Sequence, residues 1–304
     1  MAKTTKPFTK HDRRFMVMAL GLARRGLGNA WPNPAVGCVL VRPDLEGCRD
    51  GGGRVVGRGW TQPGGRPHAE TEALARAGEL ARGATAYVTL EPCCHTGQTG
   101  PCTEALIAAG IRRVVIAVTD PDDRVAGQGV AALENAGITV DQGLDEPHAR
   151  EINAGYFTRA AKGRPLVLLK AASSLDGRIA AAGGDSKWVT SDAARARGHL
   201  MRAQADAIMV GIGTVQADDP ELTCRLPGMD RQSPARVVLD THLKTPPKGK
   251  LVASAKDVPL WVVTVPDSSP EAAETLEKMG AQVVRVAAGS DGRPDPAAVL
   301  ATLA

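Results

Sequence analysis

Apolar residues recur along this chain in two alternating rhythms. Phe15, Met18, Ala19 and Leu22 fall at helical spacing, so residues 11–25 read as an amphipathic helix. Residues 36–41 and 54–59 read as strands, with Gly51, Gly52 and Gly53 between them signalling a hairpin. A helical run at 69–77 precedes an apolar strand at 85–90, and 103–109 is helical again. A strand at 113–118, a short helix at 130–136 and a strand at 138–140 follow. Residues 141–163 are polar, helical in places, and contain the expected domain boundary.

The rhythm restarts at Arg164. Residues 166–172 read as a buried strand, and Ser191 or Asp192 caps a helix running to Gln204. Strands are expected at 207–210, 236–239, 260–265 and 282–286, a helix at 270–279, and another from Pro296. Strands this apolar, alternating with helices, predict a largely parallel sheet covered on both faces. The fold class is therefore α/β twice over. A tail (1–10) leads into an α/β/α domain (11–150), a linker (151–163) and a second α/β domain (164–304).

Candidate chemistry is densest between His68 and Cys102. The stretch opens His68-Ala69-Glu70 and closes on Glu91-Pro92-Cys93 and Pro101-Cys102. One imidazole and two thiolates suit a zinc ion with a fourth position left open, which marks a catalytic site. Zinc so held brings the pKa of a bound water toward neutrality. Glu70 reads as the proton carrier, as in zinc deaminases whose general acid–base glutamate is not a ligand. Cys94 and His95 lie between the cysteines and remain alternative ligands. Cys102 stands at a helix start, where the backbone dipole favours thiolate. Upstream, prolines flank Asn33 and fix an extended or turned backbone. That arrangement suits either an amide held in a pocket or an Asx turn.

Nucleic-acid and nucleoside deaminases space their cysteines P-C-x-x-C, whereas residues 94–101 intervene here. The insert E-P-C-C-H-T-G-Q-T-G-P-C resembles the deaminase half of the bifunctional riboflavin-biosynthesis deaminase/reductase family. The resemblance continues in P-N-P-A-V-G (32–37), D-P-D-D-R-V-A-G-Q-G (120–129), K-A-A-S-S-L-D-G-R-I-A (170–180), S-K-W-V-T-S (186–191) and A-D-D-P-E-L-T (217–223). It covers nearly the whole chain beyond the first ten residues.

This resemblance implies a cytidine-deaminase-like domain followed by a dihydrofolate-reductase-like domain using NADPH. The first would deaminate 2,5-diamino-6-(5-phosphoribosylamino)pyrimidin-4-one, with His68, Cys93 and Cys102 on Zn2+, Glu70 catalytic, Asn33 on the pyrimidine and His95 on the phosphate. The second would reduce the ribosyl group of 5-amino-6-(5-phosphoribosylamino)uracil. There Ala172, Trp188, Thr214, Asp218 and Thr241 would line the cofactor, while Lys170, Ser186, Arg202, Leu222 and Arg225 would hold the substrate. The family often has histidine where Thr61 stands, serine at Cys94, and lysine or arginine at Gln98. It also continues past Ala304 into a strand and a glycine-rich turn, so the reductase domain is expected to be truncated at its C-terminus. Competing readings are a deaminase alone, a nucleoside or tRNA deaminase with an appended domain, and a zinc-stabilised binding module.

Composition narrows the partners. A length of 304 residues suits two domains. A net charge of +4 with 3% aromatic residues argues against nucleic acid. Six cysteines in a chain this long are not a secreted disulfide framework. With no apolar run of membrane-spanning length and no signal-peptide core, a cytoplasmic enzyme free of membrane is expected. A small-molecule phosphoribosylaminopyrimidine is the expected partner, in a homo-oligomer.

Overall fold

A computed structural model describes residues 8–45, 52–184, 189–229 and 231–304. The chain divides into two compact units, Met1–Lys162 and Gly163–Ala304.

The first unit opens with α1 (Lys10–Ala23), capped by a reciprocal pair in which Thr9 accepts the Asp12 N–H and Asp12 accepts that of Thr9. Then come β1 (Gly37–Arg42), β2 (Arg54–Trp60), α2 (Ala69–Ala77), β3 (Thr85–Val88), α3 (Cys102–Ala108), β4 (Arg113–Ile116), α4 (Gln128–Asn135) and β5 (Thr139–Gln142). The sheet order is β2-β1-β3-β4-β5, antiparallel through β2-β1-β3 and parallel through β3-β4-β5. Helices cover both faces, and the glycines show why they come so close. A Cβ on Gly37 would stand 2.0 Å from the Ala19 carbonyl of α1, and one on Gly59 would stand 2.1 Å from that of Ala69 in α2. Gly37 pairs with Trp60 and Cys38 with Gly59, so alternation along the strands sends these contacts to opposite faces.

The stretch after β5, expected as boundary and linker, is mostly helical: α5 (Glu146–Ile152) and α6 (Ala154–Lys162). Tyr156 and Phe157 of α6 pack on the first unit's core, and the Tyr156 hydroxyl donates to Asp120 at 2.8 Å.

The second unit contains α7 (Asp192–Ala203), β6 (Ala207–Gly211), α8 (Ile212–Asp218), β7 (Ala235–Leu239), α9 (Lys250–Ala253), β8 (Leu260–Thr264), α10 (Pro270–Lys278), β9 (Gln282–Arg285) and α11 (Pro296–Thr302). Ser191 caps α7 by accepting the Ala194 N–H. Its strands run β6-β7-β8-β9, all parallel. Val238 and Val262 belong to one apolar cluster with Leu251 and Leu276, while Val237 and Val263 join Val286 and Val299 in a second.

One expected element is absent. Residues 165–174 form no strand, and Leu166, Val167, Leu168 and Leu169 are 52, 52, 69 and 89% exposed. A strand needs a neighbour for its backbone N–H and C=O groups, and no described segment supplies one. Apolar content alone marks what could be buried and leaves the pairing partner unspecified.

Candidate metal centre and its surroundings

His68 caps α2, Cys93 lies in the turn leaving β3, and Cys102 is the first residue of α3. The His68 Nδ1 lies 3.3 Å from the Cys102 Sγ and 3.6 Å from the Cys93 Sγ, and the three donor atoms all fall within 4.8 Å of one another. Tetrahedral zinc, with its usual bond lengths, places nitrogen and sulfur about 3.6 Å apart and two sulfurs about 3.8 Å apart. The donors therefore fit zinc in both chemistry and spacing. Among the described residues they are the group of histidine, cysteine and acid close enough to share an ion.

Without metal, the two thiols differ in protonation. Cys93 is drawn down to about 4 by the Cys102 thiol and by His68, against the effect of burial. Cys102 is pushed well up by the Cys93 sulfur and by burial. The helix start, expected to favour thiolate at Cys102, points its N–H to the Cys93 sulfur, 3.4 Å away, and so supports the charge there in the metal-free pair. Glu70, in the first turn of α2 and 4% exposed, is raised to about 7, chiefly by burial and then by the Cys93 charge.

The alternative ligands stand apart from this triad. The Cys94 Sγ contacts the Arg124 carbonyl at 3.5 Å, and the buried His95 Nδ1 has no hydrogen-bond partner. The Asn33 amide donates to the Gly65 carbonyl at 2.8 Å and lies 3.2 Å from the His68 Nε2, so it borders the centre. Three residues brace this wall through backbone contacts that the sequence reading did not assign to them. Buried Asn153 brackets Ala35, accepting its N–H at 2.9 Å and donating to its carbonyl at 3.0 Å, which fixes the Asn33 turn. Thr61 hydrogen-bonds the backbone of Pro34 and Val36, both at 2.9 Å. Glu91, 3% exposed, accepts the N–H groups of Asp120, Gly127 and Val130 at 3.3, 3.1 and 3.1 Å, tying the 120–130 loop to the Cys93 turn.

In the second unit, Arg202, Leu222 and Arg225 meet around one loop. The Arg202 Nη1 donates to the Thr223 carbonyl at 2.6 Å, and its Nε is buried without a partner. Leu222 is buried at φ 57°, and the Arg225 N–H donates to the His199 Nδ1 at 3.4 Å. Thr214 and Asp218 lie on α8 immediately after β6, and Thr241 follows β7. Thr214 and Thr241 thus lie just past the C-terminal ends of parallel strands, where open sheets bind ligands, whereas Asp218 is the last residue of α8. Ala172 is half-buried. Lys170, expected in a buried strand, is exposed in irregular chain, so burial gives it no special role. Ser186 and Trp188 lie outside the described residues.

Comparison with known proteins agrees with this layout. Residues 9–118 match the family described as the cytidine and deoxycytidylate deaminase zinc-binding region, and residues 165–304 match the RibD C-terminal domain. Riboflavin biosynthesis protein RibD of Aquifex aeolicus is 45% identical over 273 residues, covering 90% of this chain and 73% of the relative. The Escherichia coli protein of that name is 43% identical over 279 residues, 88% of this chain and 73% of its own. The structure of Acinetobacter baumannii RibD superposes with a TM-score of 0.80 at 40% identity, covering 97% of this chain and 77% of that one. A Thermotoga maritima structure, titled a diaminohydroxyphosphoribosylaminopyrimidine deaminase/5-amino-6-(5-phosphoribosylamino)uracil reductase, gives 0.75 at 36% identity, covering 93% and 82%. With identity of this order sustained across both units, the chain belongs to the RibD family of riboflavin biosynthesis proteins, a zinc deaminase domain followed by a reductase domain.

Proposed function

We propose that the first unit hydrolytically deaminates 2,5-diamino-6-(5-phosphoribosylamino)pyrimidin-4-one and that the second reduces the ribosyl group of the resulting 5-amino-6-(5-phosphoribosylamino)uracil with NADPH. The observation that carries this reading is a zinc-type donor triad with one buried carboxylate, Glu70, beside it. His68, Cys93 and Cys102 hold the metal, and zinc when bound supplies the Lewis acidity that makes water nucleophilic near neutral pH. Glu70 takes a proton from the water adding to the amino-bearing ring carbon. It passes protons to the ring nitrogen and then to the amino group, so that water enters and ammonia leaves. Asn33 orients the pyrimidine, and His95, with its unsatisfied Nδ1, contacts the phosphate.

In the second unit, Arg202 and Arg225 carry the forked donors that suit a phosphate, which would compete with Glu221, now paired with the Arg225 Nη1 at 2.9 Å, and Ser186, Leu222 and Lys170 complete the substrate site. Ala172, Trp188, Thr214, Asp218 and Thr241 line the cofactor, which when bound supplies the hydride. The buried, unpartnered Arg202 Nε fits a site that a polar ligand completes. A cytoplasmic location belongs to this reading, because a reducing compartment keeps Cys93 and Cys102 available to metal. So does a homo-oligomer, since the exposed 166–169 run is surface of the kind that association covers. Among the described residues no helix is long and apolar enough to cross a membrane.

Incubation of the zinc-loaded enzyme with the diaminopyrimidine phosphate, followed by mass spectrometry, tests the reading. The expected products are the deaminated compound without NADPH and the compound carrying two further hydrogens with it. Unchanged substrate in both incubations refutes it.

A further inference from the structure

Two residues before His68, the Arg66 side chain reaches across to the loop that follows Cys93. Its Nη1 donates to the Thr99 hydroxyl at 2.6 Å, and its Nη2 lies 3.1 Å from the point a Cβ on Gly97 would occupy. No carboxylate among the described residues lies within ion-pair distance of this guanidinium, whereas Arg124 on the neighbouring loop is taken up by Asp122. In the same loop the buried Nδ1 of His95 has no partner. Thr61 cannot contribute, because its hydroxyl is committed to the backbone of Pro34 and Val36. What remains in this loop region is a guanidinium free of any carboxylate among the described residues, the exposed Thr99 hydroxyl it touches, and an unsatisfied imidazole nitrogen. That is the donor chemistry of a receptor for a doubly charged oxyanion.

We propose that Arg66, with Thr99 beside it, is the specificity-determining cation of the deaminase site and takes the phosphate monoester of the substrate. The proposal rests on the deaminase reading above. Arg66 acts on binding of the phosphorylated substrate and leaves proton transfer to Glu70.

The test compares the zinc-loaded 304-residue enzyme with Arg66→Gln and Arg66→Lys on the phosphorylated substrate and on its dephosphorylated riboside. Arg66→Gln is expected to raise KM for the phosphorylated substrate at least tenfold, with kcat and zinc content kept and the riboside handled as before. Arg66→Lys, which keeps the charge without the fork, falls between. An unchanged KM, or equal losses on both substrates, overturns the proposal. Calorimetric titration with ribose 5-phosphate reads the same site without turnover. It is done on the full chain carrying Arg202→Gln and Arg225→Gln, so that the candidate phosphate site of the second unit is removed. Heat lost on adding Arg66→Gln supports the anion site even if neither substrate is deaminated, an outcome that would count against the deaminase reading alone. Identical isotherms with and without Arg66 sink the proposal.

Discussion

The backbone N–H of Cys102 points at the sulfur of Cys93 across 3.4 Å. The start of α3 thus stabilises the charge on a neighbouring turn, and the metal-free pair keeps its remaining proton on Cys102. Metal-free enzyme treated with iodoacetamide at pH 6 should therefore be alkylated at Cys93 at least about tenfold faster than at Cys102, since reactivity follows thiolate and access. Zinc should protect both. Peptide mapping that finds Cys102 modified first contradicts this assignment.

Glu70 is buried next to the donors without being one of the triad. Glu70→Gln preserves shape and removes the exchangeable proton. Deamination should fall about 10²–10⁴-fold, the usual worth of a positioned acid–base group, with zinc content by mass spectrometry unchanged. Reduction of the deaminated intermediate should proceed as in the parent enzyme. Full deamination with metal in place removes Glu70 from the chemistry.

Glu91 carries a different load. Its two oxygens serve three backbone donors of the 120–130 loop, and the loop presses so near that a Cβ on Gly129 would stand 2.3 Å from the Pro92 carbonyl. Glu91→Gln turns an NH2 group toward one of those N–H donors. Stability should drop by about 1–3 kcal/mol, the range for a buried donor left unsatisfied. KM for deamination should rise as the loop shifts, with the metal retained. An unaltered melting temperature would show that the loop is held by other means.

The legible parts of this chain were those written in local pattern. Residues 69–77 show helical spacing directly after a histidine, and α2 spans Ala69–Ala77. His68, Cys93 and Cys102 could be grouped because metal chemistry restricts residue types more tightly than distance along the chain does. The bracing roles of Asn153 and Glu91 were not legible because they act on backbone 118 and 29–39 residues away, respectively, through groups every residue carries. Residues 166–172 misled for the opposite reason: their apolar run is plain, but hydrogen-bond pairing is a property of the partner.

Arg202 faces the loop at Thr223 with one nitrogen bonded and another buried and unsatisfied. Arg202→Gln should weaken binding of the phosphorylated substrate to the reductase, raising its KM roughly tenfold or more if one charge-assisted bond is lost. Steady-state NADPH oxidation reads this. An equal fall in kcat at constant KM would instead place Arg202 outside the binding site.

Asp12 ties four elements of the first unit together. Its carboxylate accepts hydrogen bonds from Thr9, from the Tyr87 hydroxyl at 2.8 Å and from the Arg113 Nη1 at 2.6 Å, and Arg113 also pairs with Asp141. Burial alone would push this carboxyl up, but the bonds from Arg113, Thr9 and Tyr87 outweigh it and hold it at about 2, below its ordinary 3.8. A folded-state value below the unfolded one means stability that is present above about pH 4 and lost as pH falls toward 2. The linkage is worth about 2 kcal/mol at neutral pH. Asp12→Asn should therefore lower the melting temperature clearly at pH 7, and the gap to the parent enzyme should close between pH 4 and 2. Calorimetry across that range decides it, because a packing defect unrelated to charge would leave the gap the same at every pH.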